Sequence, residues 1–194
     1  MFETVRADLL RYIDPGARYQ DTTWSARRAL FAVLESLGLW AVLEYRFRRW
    51  TRALPLPARL ALRPVTMISR KLIEITAGIT ISTEAEIGPG FYIGHFSGIF
   101  VGPGVVAGPN LSILQGVTIG IEKGASPRLG EWVYLAPGAK VFGPVTMGDR
   151  SAAGANAVVT KDVPEDVTVG GVPARPIGVR DASRGDLGAP ASEA

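Results

Sequence analysis

Residues 129–160 read LGEWVYLAPGAKVFGPVTMGDRSAAGANAVVT, and an aliphatic or small residue recurs in them at every sixth position. These positions are Leu129, Leu135, Val141, Met147, Ala153 and Val159. A glycine often follows directly, as at Gly130, Gly148 and Gly154. A short fixed repeat of this kind is typical of a solenoid, in which each turn of the chain stacks on the preceding turn.

The same period extends toward the N-terminus. Its earlier members are Ile81, Ile87, Ile93, Val101, Ala107, Ile113 and Ile119. The phase is interrupted twice by extra residues, at about 96–100 and at 121–128. Because inserted residues bulge out of a solenoid without disturbing its core, both insertions are predicted to project outward.

A six-residue period has a simple structural explanation. A short strand places one aliphatic side chain inward and a tight turn follows, so three such units close a triangular coil of roughly 18 residues. Stacked coils pair their backbone groups at a spacing of about 4.8 Å. The sequence therefore predicts a parallel β-helix of about four coils. A glycine-rich β-sandwich with accidental spacing is the alternative, and thirteen in-phase positions disfavour it.

Residues 1–77 lack this period and are predicted to be helical. We expect a short helix from Glu3 to Ile13, a long helix that begins after an N-cap at Ser25 and continues to about residue 50, and another helix over 64–75. The predicted fold class is thus α+β, mostly β. Its parts are a helical region at 1–77, a β-helix domain at 78–178 and a disordered tail at 179–194.

Composition excludes several kinds of chemistry. The chain has no cysteine and one histidine, so it can hold no disulfide, no thiolate zinc site, no cysteine nucleophile and no three-histidine metal site of its own. No signal peptide, membrane-spanning stretch or nucleic-acid-binding motif is evident. We therefore expect a cytoplasmic protein that binds neither a metal nor nucleic acid.

Basic residues concentrate in the helical region. The first 77 residues hold 13 of the 21 Lys and Arg residues but only 7 of the 18 Asp and Glu residues. The arginines in question are Arg27, Arg28, Arg46, Arg48, Arg49 and Arg52, and they lie near Trp24, Trp40 and Trp50. This pattern predicts either packed helices with solvated arginines or peripheral contact with a membrane surface.

Three motifs carry a resemblance to a known family. They are FYIGHFSGIFVG at 91–102, LSILQGVTIG at 111–120 and VVTKDVPEDVTVGGVPARPIG at 158–178. They resemble the serine acetyltransferase family, whose members fold as left-handed β-helices of hexapeptide repeats. The resemblance implies acetyl-CoA as co-substrate, a homotrimer that binds it in the groove between two β-helices, and no metal. Hexamers through the N-terminal helices remain open.

The resemblance also assigns roles to individual residues. It implies that His95 is the general base, a role suited to a side chain that titrates near neutral pH. The implied coenzyme A contacts are Ala136, Gly154, Ala155, Lys161 and Arg175, and the implied acceptor contacts are Gly94, Ser126 and Arg128. Backbone amides of the coils would stabilise the oxyanion that forms from the thioester.

The chain departs from the family pattern at three places. Serine-acetylating members carry Asp-Ile-His-Pro where this chain has Thr-Ile-Ser-Thr at 80–83, an aspartate in place of Gly94, and a histidine in place of Ser126. Glu84, Glu86, a backbone carbonyl or a group from a neighbouring subunit could orient His95 instead.

These departures, and the IGHFSG sequence, resemble a branch of the family associated with polysaccharide biosynthesis. The expected acceptor is therefore a saccharide hydroxyl on an exopolysaccharide or on its lipid-linked precursor. Two alternatives stay open. One is a serine O-acetyltransferase of cysteine biosynthesis, and the other is a hexapeptide-repeat scaffold without catalytic activity.

Overall fold

The computed structural model describes residues 2–14 and 22–180. Within these ranges four helices precede a series of short strands. The helices are α1 (Phe2–Ile13), α2 (Ala26–Glu35), α3 (Leu37–Arg52) and α4 (Leu56–Ala77). The strands are β1 (Ile79–Ile81), β2 (Glu86–Ile87), β3 (Tyr92–Ile93), β4 (Ile99–Val101), β5 (Val106–Ala107), β6 (Ser112–Ile113), β7 (Thr118–Gly120), β8 (Arg128–Leu129), β9 (Tyr134–Leu135), β10 (Lys140–Phe142), β11 (Thr146–Met147), β12 (Ala152–Ala153), β13 (Val158–Val159), β14 (Val167–Gly170) and β15 (Arg175–Val179).

Every third strand pairs in parallel, and this makes the three faces of a triangular β-helix. The first face contains β1, β4, β7, β10 and β13, the second contains β2, β5, β8 and β11, and the third contains β3, β6, β9, β12 and β14. The predicted fold class, helices followed by a hexapeptide-repeat β-helix, is confirmed. Two faces hold five parallel strands each, so the solenoid has about five coils, one more than predicted.

The interior of the solenoid is the column of aliphatic residues that the repeat specifies. All thirteen repeat positions are buried, and the most exposed of them, Ile87, is only 6% accessible. Each coil contributes a layer of three such side chains, so each layer is covered by the layers above and below it.

An antiparallel strand ends the solenoid. β15 pairs with β14, and the next residue, Arg180, donates from its backbone to the carbonyl oxygen of Asp166 and from its guanidinium to that of Trp132 (2.7 Å). The predicted domain boundary after residue 178 therefore falls inside β15. The rest of the predicted tail, residues 181–194, lies outside the described residues.

Two helix predictions need correction. The single long helix predicted after Ser25 is two helices, because Ser36 adopts an extended conformation and its hydroxyl caps α3 by accepting from the Leu39 amide (3.1 Å). α4 begins at Leu56, eight residues before its predicted start. Pro55 and Pro57 lie at the beginning of this helix, where a missing backbone donor costs nothing, and so they do not interrupt it.

Helices α1 and α3 cover the open end of the first coil. That coil has no neighbour on one side, so its backbone groups there need other partners. The guanidinium of Arg46 donates to the carbonyl oxygens of Ile87 (2.6 Å) and Gly88 (2.7 Å). The Tyr45 hydroxyl donates to the carbonyl oxygen of Ala85 (2.8 Å) and accepts from the Ile87 amide (3.2 Å). The N-terminal helices are therefore part of the β-helix fold rather than an appendage to it.

A buried ion pair lies at the centre of this cap. Asp8, which is fully buried, accepts from Nε of Arg46 (2.8 Å) and from the amides of Gly90 and Phe91 (2.9 Å each). Burial raises the pKa of the Asp8 carboxyl, and the hydrogen bonds from Arg46 and from the two amides act in the opposite direction.

Other arginines of α3 also bind the end of the β-helix. Arg48 donates to the carbonyl oxygen of Ile81 (2.7 Å), Arg49 to that of Ala85, and Arg52 to the hydroxyl of Thr83 (2.9 Å). Four of the six arginines considered for membrane contact are thus engaged in capping, and Arg27 and Arg28 on α2 are the remaining two. No helix in the described part of the chain is long and apolar enough to span a membrane.

The contact between α3 and β3 leaves no room for a side chain at Gly38. A Cβ at this position would lie 2.5 Å from the carbonyl oxygen of Ile93. We expect Gly38→Ala to lower the free energy of unfolding by about 1–3 kcal/mol, because the helix must move away from the strand. Chemical denaturation measures this loss. Gly178→Ala, at a site with nothing within 4 Å, is the control and should change stability by less than about 0.5 kcal/mol.

Candidate active site

His95 lies at the corner of the prism where the third face ends. It comes two residues after Ile93, and strand pairing stacks Ile93 on Ile113, Leu135, Ala153 and Val169 of the following coils. The two residues that follow each of these stacked aliphatic positions form the edge of the prism. In order along the edge they are Gly94 and His95, Leu114 and Gln115, Ala136 and Pro137, Gly154 and Ala155, and Gly170 and Gly171.

This edge, from Gly94 to Gly171, brings together several of the residues predicted to form the site. His95 lies on this edge at the first coil, and Ala136, Gly154 and Ala155 lie on the same edge at later coils. Arg175 lies at its far end, opposite Gly170 in the pairing of β14 with β15. His95 and Ala155 are three coils apart. At the usual spacing of stacked strands, the distance between them along the edge is about 14 Å. Small residues dominate the edge, so an extended ligand could approach the backbone closely.

The other predicted residues lie on a different edge of the same chain. The second insertion connects β7 to β8 at the corner between the first and second faces, and contains a bridge between Glu122 and Ala125. Ser126 lies near the end of this insertion, and its hydroxyl donates to the carbonyl oxygen of Pro103 (2.8 Å). Arg128 begins β8, and Lys161 follows β13 at the same corner. Within one chain, none of the three lies on the edge that carries His95.

The carboxylates considered as partners for His95 are also elsewhere. Glu84 and Glu86 lie at the capped end of the β-helix. Oε1 of Glu84 is 3.8 Å from Nη1 of Arg52, and Oε1 of Glu86 is 3.9 Å from Nη2 of Arg49. Among residues 2–14 and 22–180, no side chain hydrogen-bonds to the exposed imidazole of His95. These ranges also contain no group of three or more His, Cys, Asp or Glu residues placed to hold a metal ion.

A cavity of about 320 Å³ adjoins His95. The β-helix and the N-terminal helices share its walls. The lining residues are Tyr12, Ala32, Glu35, Ser36, Leu37, Gly38, Tyr92, Gly94, His95 and Phe96. Sequence reasoning missed the helical half of this pocket, because the repeat gives the order of the coils but not which helices pack on their first corner.

A β-helix of hexapeptide repeats with a histidine at one corner is an architecture typical of acyltransferases, and comparison with known proteins supports this class. The serine acetyltransferase of Mycobacterium tuberculosis is 34% identical over 168 residues, which cover 83% of this chain and 69% of that protein. The serine acetyltransferase of Bacillus pumilus is 36% identical over 157 residues, which cover 78% and 69%. The chain belongs to the serine acetyltransferase family. No family model matches it.

Solved structures give the same result. A serine acetyltransferase from Brucella abortus superimposes with a TM-score of 0.76 at 30% identity, covering 92% of this chain and 69% of that one. The same enzyme in complex with coenzyme A gives 0.73 at 29% identity, with coverage of 93% and 68%. The Neisseria gonorrhoeae enzyme in complex with serine gives 0.70 at 29% identity, with coverage of 91% and 69%.

These findings correct one prediction. The expected saccharide acceptor is wrong, because the relatives and the structural neighbours are serine acetyltransferases. The prediction gave too much weight to Thr80, Gly94 and Ser126, three motif positions that sit on different parts of the prism. It could not take account of the groups that the helices add to the pocket. The prediction of an O-acetyltransferase enzyme is supported by the same comparisons.

Proposed function

We propose that the protein is a serine O-acetyltransferase that uses acetyl-CoA. The observation that carries the proposal is the position of His95, exposed in a pocket at the head of an edge of small residues, in a chain of this family. The structural neighbours that were crystallised with coenzyme A and with serine support both substrates.

The proposed chemistry needs one base and a set of donors. The His95 imidazole takes the proton of the serine hydroxyl while the oxygen attacks the thioester carbonyl carbon. Backbone N–H groups of the edge stabilise the oxyanion of the tetrahedral intermediate. When the carbon–sulfur bond breaks, the proton held by His95 passes to the departing sulfur, so the products are O-acetylserine and free coenzyme A.

The coenzyme A would lie along the edge. The amides of Ala136 and Gly154 already donate to the carbonyl oxygens of Ala153 and Val169, so these two residues contribute mainly room for the extended arm of the cofactor. Ala155 lies beside Gly154 on the same edge, and Arg175 is placed for the phosphates. Arg175 is exposed, and its guanidinium forms no ion pair within the described ranges. Its Nη1 donates to the carbonyl oxygen of Ala174 (2.9 Å), and its other donors are available to an anion. Lys161, on the other edge, can reach the same ligand only from a neighbouring chain.

Release of free thiol tests this function. Purified protein with acetyl-CoA and L-serine should release coenzyme A at a rate that saturates with both substrates, and the reaction without serine should stay near background. A protein that binds acetyl-CoA but releases no thiol with L-serine would contradict the proposal.

A site made from two edges points to an oligomer, and we infer a homotrimer. The flat faces of a β-helix permit cyclic packing, which would bring the edge with Ser126, Arg128 and Lys161 beside the edge with His95 of the next chain. Helix α4 supports the oligomer, because one side of it exposes a row of large apolar residues that are each 53–79% accessible. The row is formed by Leu60, Met67, Ile68, Leu72 and Ile75.

Light scattering tests the assembly. We expect a mass three times that of the 20.6 kDa chain, or six times if the helices join two trimers. Met67→Glu together with Leu72→Glu should weaken the assembly, because it places charges inside an apolar contact. A monomer that is fully active would contradict the shared site.

A further inference from the structure

The pocket beside His95 contains one carboxylate and no cation among its lining residues. That carboxylate is Glu35, the last residue of α2. Its side chain is exposed and forms no hydrogen bond or ion pair in the described part of the chain. An unpaired negative charge in a half-enclosed pocket attracts a cationic group more strongly than the same charge on an open surface.

Packing holds the chain that follows Glu35 close to the strand that precedes His95. The next residue, Ser36, caps α3, and Gly38 lies against the carbonyl group of Ile93 with no space for a side chain. The Tyr12 hydroxyl also binds Ile93, donating to its oxygen (3.3 Å) and accepting from its amide (3.0 Å). The helical wall of the pocket therefore contacts Ile93, which lies two residues before His95.

We propose that Glu35 determines acceptor specificity by binding an ammonium group next to the hydroxyl that is acetylated. The inference rests on the proposed function and extends it by naming the residue that recognises the amino group. Glu35 supplies the negative charge that the pocket otherwise lacks.

Steady-state kinetics with three acceptors test this role. L-serine and ethanolamine carry an ammonium group beside the hydroxyl, and hydroxypropionate does not. We expect Glu35→Gln to raise the KM for L-serine and for ethanolamine about tenfold or more, the size of a lost charge-assisted contact. The kcat and the KM for acetyl-CoA should stay within about twofold, and activity with hydroxypropionate should not fall.

Two further variants separate this role from a structural one. Glu35→Asp keeps the charge and should recover part of the loss. Glu131→Gln, which removes an exposed carboxylate outside the pocket, should leave all constants unchanged.

The possible results are distinct. Normal turnover of L-serine with an unchanged KM in Glu35→Gln would overturn the role of Glu35 and leave the proposed function intact. Turnover of ethanolamine but not of L-serine, with the expected dependence on Glu35, would support the role while contradicting the proposed function. Failure of the wild-type protein with every ammonium-bearing acceptor would overturn both.

Discussion

Replacing His95 with alanine should reduce turnover of acetyl-CoA and L-serine on the order of a hundredfold or more, the usual contribution of a general base. His95 is the only histidine in the protein. Apart from two half-buried tyrosines, Tyr12 and Tyr92, the other ionisable residue that lines its pocket is Glu35. Among the described residues that line the pocket, no second imidazole can therefore take over as the base.

The fold and the cofactor site should survive this substitution. His95 is exposed at a corner and contributes nothing to the buried aliphatic column, so the free energy of unfolding should change by less than about 0.5 kcal/mol. Coenzyme A affinity, measured by calorimetry, should change little. Near-normal turnover in His95→Ala would remove the histidine from the mechanism.

Replacing Asp8 with alanine should have the largest effect on stability. The substitution leaves the guanidinium of Arg46 buried without its counter-charge and removes the acceptor of the Gly90 and Phe91 amides. Breaking a buried pair of this kind typically costs about 3–5 kcal/mol. Chemical denaturation followed by circular dichroism measures the loss.

An exposed ion pair at the same end of the β-helix provides the control. Glu84 lies 3.8 Å from Arg52, and both side chains are more than half exposed. Glu84→Ala should cost less than about 1 kcal/mol. If the two variants were equally stable, the helical cap would not be essential to the first coil.

The sequence predicts the solenoid well because the repeat that specifies it involves only residues close together in the chain. Each inward residue, such as Leu135 or Val141, is specified by a six-residue unit that repeats, and phase errors would have to accumulate over many units to change the result. The position of His95 at a corner follows from the same count. Pairing of neighbouring coils then places Ala136, Gly154 and Ala155 on its edge.

The rest of the site depends on contacts between segments that are far apart in the sequence. The six-residue repeat around His95 does not indicate that Tyr12 and Glu35 line the same pocket. Their positions depend on how α1, α2 and α3 pack on the first coil. The arginines of α3 show the same limit. Their spacing with tryptophan predicts either solvated arginines on packed helices or contact with a membrane surface. Arg46 and Arg48 instead bind carbonyl groups that only the folded first coil presents.

The acceptor prediction failed for a related reason. The motif pattern at Thr80, Gly94 and Ser126 predicts the loss of a serine site, although a site of this kind is built from several elements. A carboxylate on a helix can replace one on a coil if the two positions converge in space, and the spacing of residues in the chain does not reveal that convergence.

Identification of the product tests the central claim most directly. The purified protein, incubated with L-serine and acetyl-CoA labelled in the acetyl group, should place the label on the serine hydroxyl, as seen by NMR, with one free coenzyme A for each acetyl group transferred. The same reaction with His95→Ala should yield little or no labelled product. Label that stays in acetyl-CoA with the wild-type protein, under conditions in which acetyl-CoA is bound, would contradict the assignment as a serine O-acetyltransferase.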